Sequence, residues 1–108
     1  MSYLNPRNVT APKEQWELID ILYDKGEEDH SVALGLWEGT LCLACRWNGC
    51  TEDKKRKKGN PISNFQPTWF ILPRPISEAM YKELAKLADR DKSINADALM
   101  KASAIFKD

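Results

Sequence analysis

The most distinctive chemical feature of the sequence is a run of five basic residues in a chain of zero formal net charge. The run consists of Lys54, Lys55, Arg56, Lys57 and Lys58. Cations at this density can neutralise phosphates, and the nearby Phe65 offers a ring on which a base could stack. The run therefore predicts a loop that binds nucleic acid or another anionic partner, such as an acidic protein surface. The alternative interpretation is a solvated charge run, partly balanced by Glu52 and Asp53, that keeps a loop in water.

Tryptophan supplies the second candidate site, because the chain contains four of these residues. Trp37, Trp47 and Trp69 lie on or near predicted strands, beside a face of small residues. Tryptophan is rarely fully buried, so a Trp-lined sheet face can accept an apolar or cationic ligand or a partner's side chain. The alternative is ordinary core packing. Trp37 and Trp47 end strands and are expected to be the more exposed of the three.

A zinc site is suggested by Cys42, Cys45 and Cys50 together with His30, the single histidine of the chain. Zinc knuckles present their cysteines from a turn, whereas Cys42 and Cys45 fall within an apolar strand and, three residues apart, point to opposite faces. A thioredoxin-type redox pair needs a helix N-terminus to lower the thiol pKa, which this strand does not supply. We therefore predict free thiols, no metal site and no cofactor.

Catalytic chemistry has weak support in the sequence. His30 follows three acidic residues at a strand entrance, where a solvated or structurally hydrogen-bonded imidazole is more common than a general base. No nucleophile elbow, phosphate-binding glycine loop or metalloprotease helix pair occurs in the chain. The prediction is a noncatalytic protein, and an enzyme with an unrecognised site is the alternative.

Length and composition predict one domain over residues 1–108, with no membrane association. A second core would lack apolar side chains in a chain of this length, although 43% hydrophobic residues suffice for one. No apolar stretch approaches the roughly 20 residues of a membrane-spanning helix. The N-terminus lacks a secretory signal and the cysteines are odd in number, so a cytoplasmic location is expected.

The first half of the chain is expected to form a helix followed by a β-hairpin. Residues 1–10 have no periodicity and are expected to be a loose arm. Apolar residues at helical spacing, bracketed by Pro12 and Gly26, predict an amphipathic helix. Two alternating segments around Glu38 and Gly39 then predict a hairpin that pairs Leu36 with Leu41, Leu34 with Leu43, Val32 with Cys45, Gly35 with Cys42 and Ala33 with Ala44. The second face of this hairpin is small, and packing of one of the chain's own helices is expected there.

The second half combines a long loop, one strand and two helices. Residues 48–66 show no period, and loops of this length are either functional or disordered. Thr68 to Leu72 predict a third strand covered on both faces. Ser77 is a candidate N-cap of the next helix, and Ser93 or Asn95 of the last one. The predicted fold is α+β, with a small antiparallel sheet of about three strands, helices packed on it, and the order α-β-β-β-α-α.

Three functions remain open at this point. The first is a small binding or accessory protein that uses the basic loop, and the second is a small-ligand or protein-interaction domain that uses the Trp-lined face. The third is an enzyme. A symmetric homodimer is one further arrangement that the tryptophans and the separable C-terminal helix suggest.

Overall fold

The computed structural model describes residues 4–50 and 57–107 and confirms the α+β class. The strands are β1 (Trp16–Asp24), β2 (His30–Trp37), β3 (Thr40–Trp47), β4 (Ile62–Ser63), β5 (Gln66–Pro67) and β6 (Phe70–Ile71). The helices are α1 (Arg74–Leu87) and α2 (Ala96–Ala102), with short 3-10 helices at Pro6–Asn8 and Ser103–Phe106. Four strands form an antiparallel sheet in the order β1-β2-β3-β6, and β4 pairs with β5 in a separate hairpin. Neither helix is long and apolar enough to span a membrane.

The predicted first helix is wrong, because the residues between Pro12 and Gly26 form the edge strand β1. Register shifts between Leu18 and Asp20, and again between Ile21 and Tyr23, interrupt its pairing with β2. Each irregularity inserts an extra residue and changes the face to which the following side chains point. The apolar residues of β1 therefore lose the period of two that marks a strand and imitate helical spacing. The sheet consequently has four strands where three were expected.

The predicted hairpin is confirmed in full. β2 and β3 pair as expected, with Leu34 opposite Leu43 and Ala33 opposite Ala44. Glu38 and Gly39 both have positive φ, of 49° and 85°, as a type I′ turn requires. The alternation of side chains along the two strands therefore fixes which residues share each face of the sheet.

One face of the sheet carries the helices. Leu34 and Leu43 from the sheet pack with Leu84 of α1 and Leu99 of α2 in a buried apolar cluster. Asn95 caps α2 as expected, since its side-chain oxygen accepts a hydrogen bond from the amide of Ala98 at 3.1 Å. Ser77 does not cap α1. It is buried three residues inside the helix, where its hydroxyl donates to the carbonyl of Leu72 at 3.2 Å.

Among residues 4–50 and 57–107, tryptophans cover the small face of the sheet and neither α1 nor α2 packs there, so the expectation of helix packing on this face is wrong. Trp16 and Trp69 are both buried and pack with Ala33 and Ala44, their ring centroids 6.3 Å apart. The indole of Trp16 lies so close to Gly35 that it would clash with any Cβ at that position. A bulky ring reaches the sheet because the face beneath it is small.

The N-terminal segment also lies against this face and does not hang free as a loose arm. Val9 is buried, and its carbonyl accepts a hydrogen bond from Nε1 of Trp69 at 2.6 Å. Pro6 is buried in the first 3-10 helix, which Asn5 caps through the amide of Arg7. This contact gives Trp69 a partner for its indole N–H, which a buried tryptophan usually needs.

The third predicted strand is shorter and less covered than expected. Only Phe70 and Ile71 pair, with Cys45 and Ala44 of β3 respectively. Trp69 and Leu72 are buried on its two sides, but Phe70 is 57% exposed. The expectation of burial on both faces is therefore wrong at Phe70, because α1 begins at Arg74 and leaves this end of the sheet uncovered.

Candidate functional site

A pocket of about 460 Å³ opens on the helix-bearing face, at the end of the sheet where β3 meets β6. Its lining residues are His30, Cys45, Arg46, Trp47, Asn60, Pro61, Phe70 and Met80. We call this the β3–β6 pocket. Its volume lies within the range of about 300 to 1,000 Å³ that is typical of ligand-binding sites. Aromatic, sulfur-containing and aliphatic groups dominate it, so it favours a flat or apolar moiety.

Strand register places the two exposed aromatic side chains of this pocket. Phe70 lies opposite Cys45, and Trp47 lies two residues farther along β3, so all three side chains point to the same face. Trp47 and Phe70 are each 57% exposed. Exposed aromatic rings on adjacent strands are costly to leave in water, and in binding proteins they form the surfaces on which ligands stack.

His30 is fixed at the rim of the pocket by its neighbours. Its Nδ1 lies 2.7 Å from Oδ1 of Asp29, and its ring contacts Tyr23 and Trp47 at centroid distances of 5.3 and 5.9 Å. The side-chain and backbone hydrogen bonds from His30 hold the pKa of the Asp29 carboxyl below its usual value. With Nδ1 engaged by Asp29, the second ring nitrogen is the one left for another partner.

Cys45 shares this pocket with His30, which raises the question of nucleophilic catalysis. Burial raises the pKa of the Cys45 thiol above its ordinary value, so the group stays protonated at neutral pH. A catalytic cysteine requires the opposite shift, since the thiolate is the nucleophile. Cys42 lies on the other face of β3, as predicted, and packs with the tryptophan cluster. Within residues 4–50 and 57–107, no three His, Cys, Asp or Glu side chains are grouped to hold a metal ion.

The basic run ends beside the pocket. Lys54, Lys55 and Arg56 lie outside the described residues, whereas Lys57 and Lys58 are described and exposed. Two residues beyond Lys58, the backbone of Asn60 exchanges hydrogen bonds with that of Trp47, with N···O distances of 2.8 and 3.1 Å. Lys58 itself donates from Nζ to the carbonyl of Phe65 at 2.7 Å.

A buried arginine holds this end of the run against the sheet. Arg46 is 2% exposed, and its guanidinium donates to the carbonyl of Thr68 at 2.7 Å and to that of Lys58. Burial lowers the pKa of the Arg46 guanidinium to about 10, which still leaves it charged at neutral pH. Its Nε is buried, with no hydrogen-bond partner in the described part of the chain. The site thus combines the buried positive charge of Arg46 with the exposed positive charges of Lys57 and Lys58.

The three tryptophans of the predicted sheet-face site do not lie together. Trp37 and Trp69 belong to the small face, where Trp69 is buried and Trp37 is half-buried. Trp47 lies on the opposite, helix-bearing face and is the exposed one. The structure therefore brings Trp47 together with the end of the basic run, and separates it from Trp37 and Trp69.

The sequence did not predict that His30, Cys45 and Met80 share a pocket with Trp47, since His30 and Cys45 were weighed only as zinc or catalytic residues. The hairpin register already places Cys45 and Trp47 on one face with His30, because His30 lies opposite Trp47 and Cys45 is two residues before Trp47 on β3. Phe70 needed the pairing of β6 with β3, and that pairing crosses a long loop with no periodic signal.

Comparisons with known proteins add no assignment to this geometry. No protein-family model, no curated protein and no solved structure matches the chain at a significant level.

Proposed function

We propose that this protein is a noncatalytic nucleic-acid-binding protein that holds single strands across the β3–β6 pocket and the adjoining basic run. The observation that carries the proposal is the backbone pairing of Asn60 with Trp47. It places the end of the run Lys54 to Lys58 next to two exposed aromatic rings.

The charge pattern supports a local contact with an anionic chain. The molecule as a whole is neutral, so it has no long-range field toward nucleic acid, and attraction must come from the run itself. Lys57 and Lys58 are exposed and can pair with phosphates. Two hydrogen bonds hold Lys58. Its main-chain carbonyl accepts from the Arg46 guanidinium, and its side-chain Nζ donates to the carbonyl of Phe65.

The aromatic residues favour single strands over duplexes. Bases in a duplex present only their edges, whereas unpaired bases present flat faces that stack on aromatic side chains. Trp47 and Phe70 are exposed at one end of the helix-bearing face of the sheet. Phe65, 87% exposed at the turn between β4 and β5, adds a third ring near Lys58.

The test compares the affinity of labelled single-stranded and duplex RNA and DNA by fluorescence anisotropy. The variant carries Lys57→Gln and Lys58→Gln, and the matched control carries Lys86→Gln and Lys92→Gln, which remove the same charge from exposed positions elsewhere. We expect single strands to bind more tightly than duplexes and only the first variant to lose affinity. Absence of binding, or equal losses in both variants, would overturn the proposal.

A small-ligand domain is the second candidate, favoured by the apolar lining of the pocket around Cys45 and Met80. An uncharged apolar ligand would quench Trp47 fluorescence equally at low and high salt, because no counterions are released. Quenching of this kind without strand binding would favour this second function.

A further inference from the structure

Strand register sets the relation between the pocket residues Trp47 and Phe70. Phe70 lies directly opposite Cys45, so Trp47, two residues along, is its diagonal neighbour on the same face. The Cα atoms of diagonal neighbours in an antiparallel sheet lie about 7 to 8 Å apart. A ring inserted between two others needs about 3.5 Å on each side, or about 7 Å in total.

The floor and rim of the pocket suit a nucleobase. Half-buried Cys45 and Met80 line the floor of the pocket, where one edge of a base inserted between the two rings would lie. Asn60 lies on the rim with its backbone already bonded to Trp47, so its exposed side-chain amide remains able to donate and to accept. His30, with Nδ1 held by Asp29, has a second ring nitrogen for the edge of a base.

The chain also places a phosphate-binding group at a suitable position. Lys58 precedes Asn60 by two residues. The hydrogen bond from the Arg46 guanidinium to the Lys58 carbonyl holds the main chain of Lys58 in place. We expect the phosphates next to a base held in the pocket to meet Lys57 and Lys58, which are exposed and precede Asn60 in the chain. Binding of a strand by charge alone would require the lysines but not the pocket beside them.

We infer that the β3–β6 pocket receives one unpaired nucleobase between Trp47 and Phe70, with the adjoining phosphates at Lys57 and Lys58. This inference rests on the proposed function and deepens it. The protein then holds a strand by one inserted base as well as by charge. Stacking of this kind tolerates any base, because every base has a flat face.

The test uses two labelled strands of equal length and charge. One carries ordinary bases, and in the other every nucleotide is replaced by an abasic tetrahydrofuran residue. We expect the native protein to bind the ordinary strand about 5- to 150-fold more tightly, the contribution of one stacked base. Trp47→Leu, which keeps an apolar side chain but removes the flat ring, should remove this preference and leave the affinity for the abasic strand unchanged.

Two further variants separate loss of stacking from loss of folding. Phe70→Leu should repeat the effect of Trp47→Leu, whereas Met100→Ala, at an exposed apolar position on α2, should not. Circular dichroism checks that each variant is folded.

The outcomes separate the inference from the proposed function. Salt-dependent binding with equal affinity for the two strands would overturn the inserted base and leave the proposed function in place. Absence of binding to either strand would overturn both.

Discussion

The guanidinium of Arg46, buried near the end of β3, donates from Nη2 to the main-chain carbonyl of Lys58 at the end of the basic run. A second bond from Nη1 to the carbonyl of Thr68 fixes the arginine from the other side. A buried cation is costly unless its donors are satisfied. The two carbonyls therefore satisfy donors of Arg46, and Arg46 in turn joins Lys58 to the sheet beside the pocket.

This connection depends on a close approach at Gly59, where we expect substitution to be costly. A Cβ at Gly59 would clash with the carbonyl of Trp47 and lie 2.6 Å from Nη2 of Arg46, and φ is +69°. Gly59→Ala should lower the free energy of unfolding by about 1 to 3 kcal/mol in chemical denaturation and weaken strand binding. Gly39→Ala has the same backbone strain with no atom within 4 Å. Equal losses in the two variants would contradict the role of the close approach.

Gly35 is expected to be equally intolerant, for a different reason. Its added Cβ would meet the indole of Trp16 and lie 2.6 Å from the carbonyl oxygen of Glu17. Gly35→Ala should therefore cost about 1 to 3 kcal/mol of stability through overpacking. Trp16→Phe removes the ring atoms nearest Gly35, so combining the two changes should recover part of the loss. Thermal or urea unfolding of the four proteins gives the coupling, and strictly additive losses would contradict the contact.

Asn48 should act as a structural residue, since it is fully buried at the end of β3. Its Oδ1 accepts from the hydroxyl of Ser31 at 2.7 Å, and its Nδ2 donates to the carbonyl of Gly26 at 2.7 Å. Asn48→Ala removes both hydrogen bonds, although the Ser31 hydroxyl keeps Oδ1 of Asp24 at 3.2 Å and the Gly26 carbonyl keeps the amide of Asp29 at 3.2 Å. The expected loss is therefore about 0.5 to 1.5 kcal/mol per hydrogen bond. Asn8→Ala, at an exposed position, is the control. Urea unfolding measures both, and equal stability of the two variants would contradict this role.

Asp20 should make stability depend on acid pH. Burial alone would raise the pKa of its carboxyl, but hydrogen bonds from Lys101 and the amide of Ile21, with the charges of Lys101 and Arg7, hold that pKa below 3.8. Since the folded-state pKa is the lower one, the stabilisation is present above the unfolded-state pKa and is lost as the pH falls through the folded-state value.

The corresponding variant is Asp20→Asn. It should reduce the free energy of unfolding at pH 7 by up to about 1 kcal/mol. The difference in free energy of unfolding between this variant and the native chain should disappear below pH 3.8. Asp89→Asn, whose side chain is 86% exposed, should show no such pH-dependent gap. A gap of constant size from pH 7 to pH 2 would show that the carboxylate charge is not responsible.

The hairpin was predictable because its signals are local. Two alternating strands around Glu38 and Gly39 leave one register that puts apolar side chains on a common face. The N-cap at Asn95 is equally local, since the residue bonds three positions ahead. Such signals can be read from the sequence because both partners of each contact lie within a short stretch of the chain.

The first strand could not be read in the same way, because its irregular pairing depends on β2. Alternation fails at Leu18 and at Tyr23, where the register shifts, and only the neighbouring strand reveals why. The candidate site was likewise predictable only in part. The basic run is visible in the sequence, whereas the meeting of Trp47 with Phe70 results from pairing across residues 48–66.

The most direct test of the central claim is the salt dependence of single-strand binding, measured for the native chain and for the Lys57→Gln, Lys58→Gln variant. Each phosphate contact contributes about 0.7 to the slope of log affinity against log salt for single strands. We expect the two substitutions together to reduce that slope by about 1.4, while the Lys86→Gln, Lys92→Gln control leaves it unchanged. A slope that is the same in all three proteins would contradict the placement of the strand at this surface.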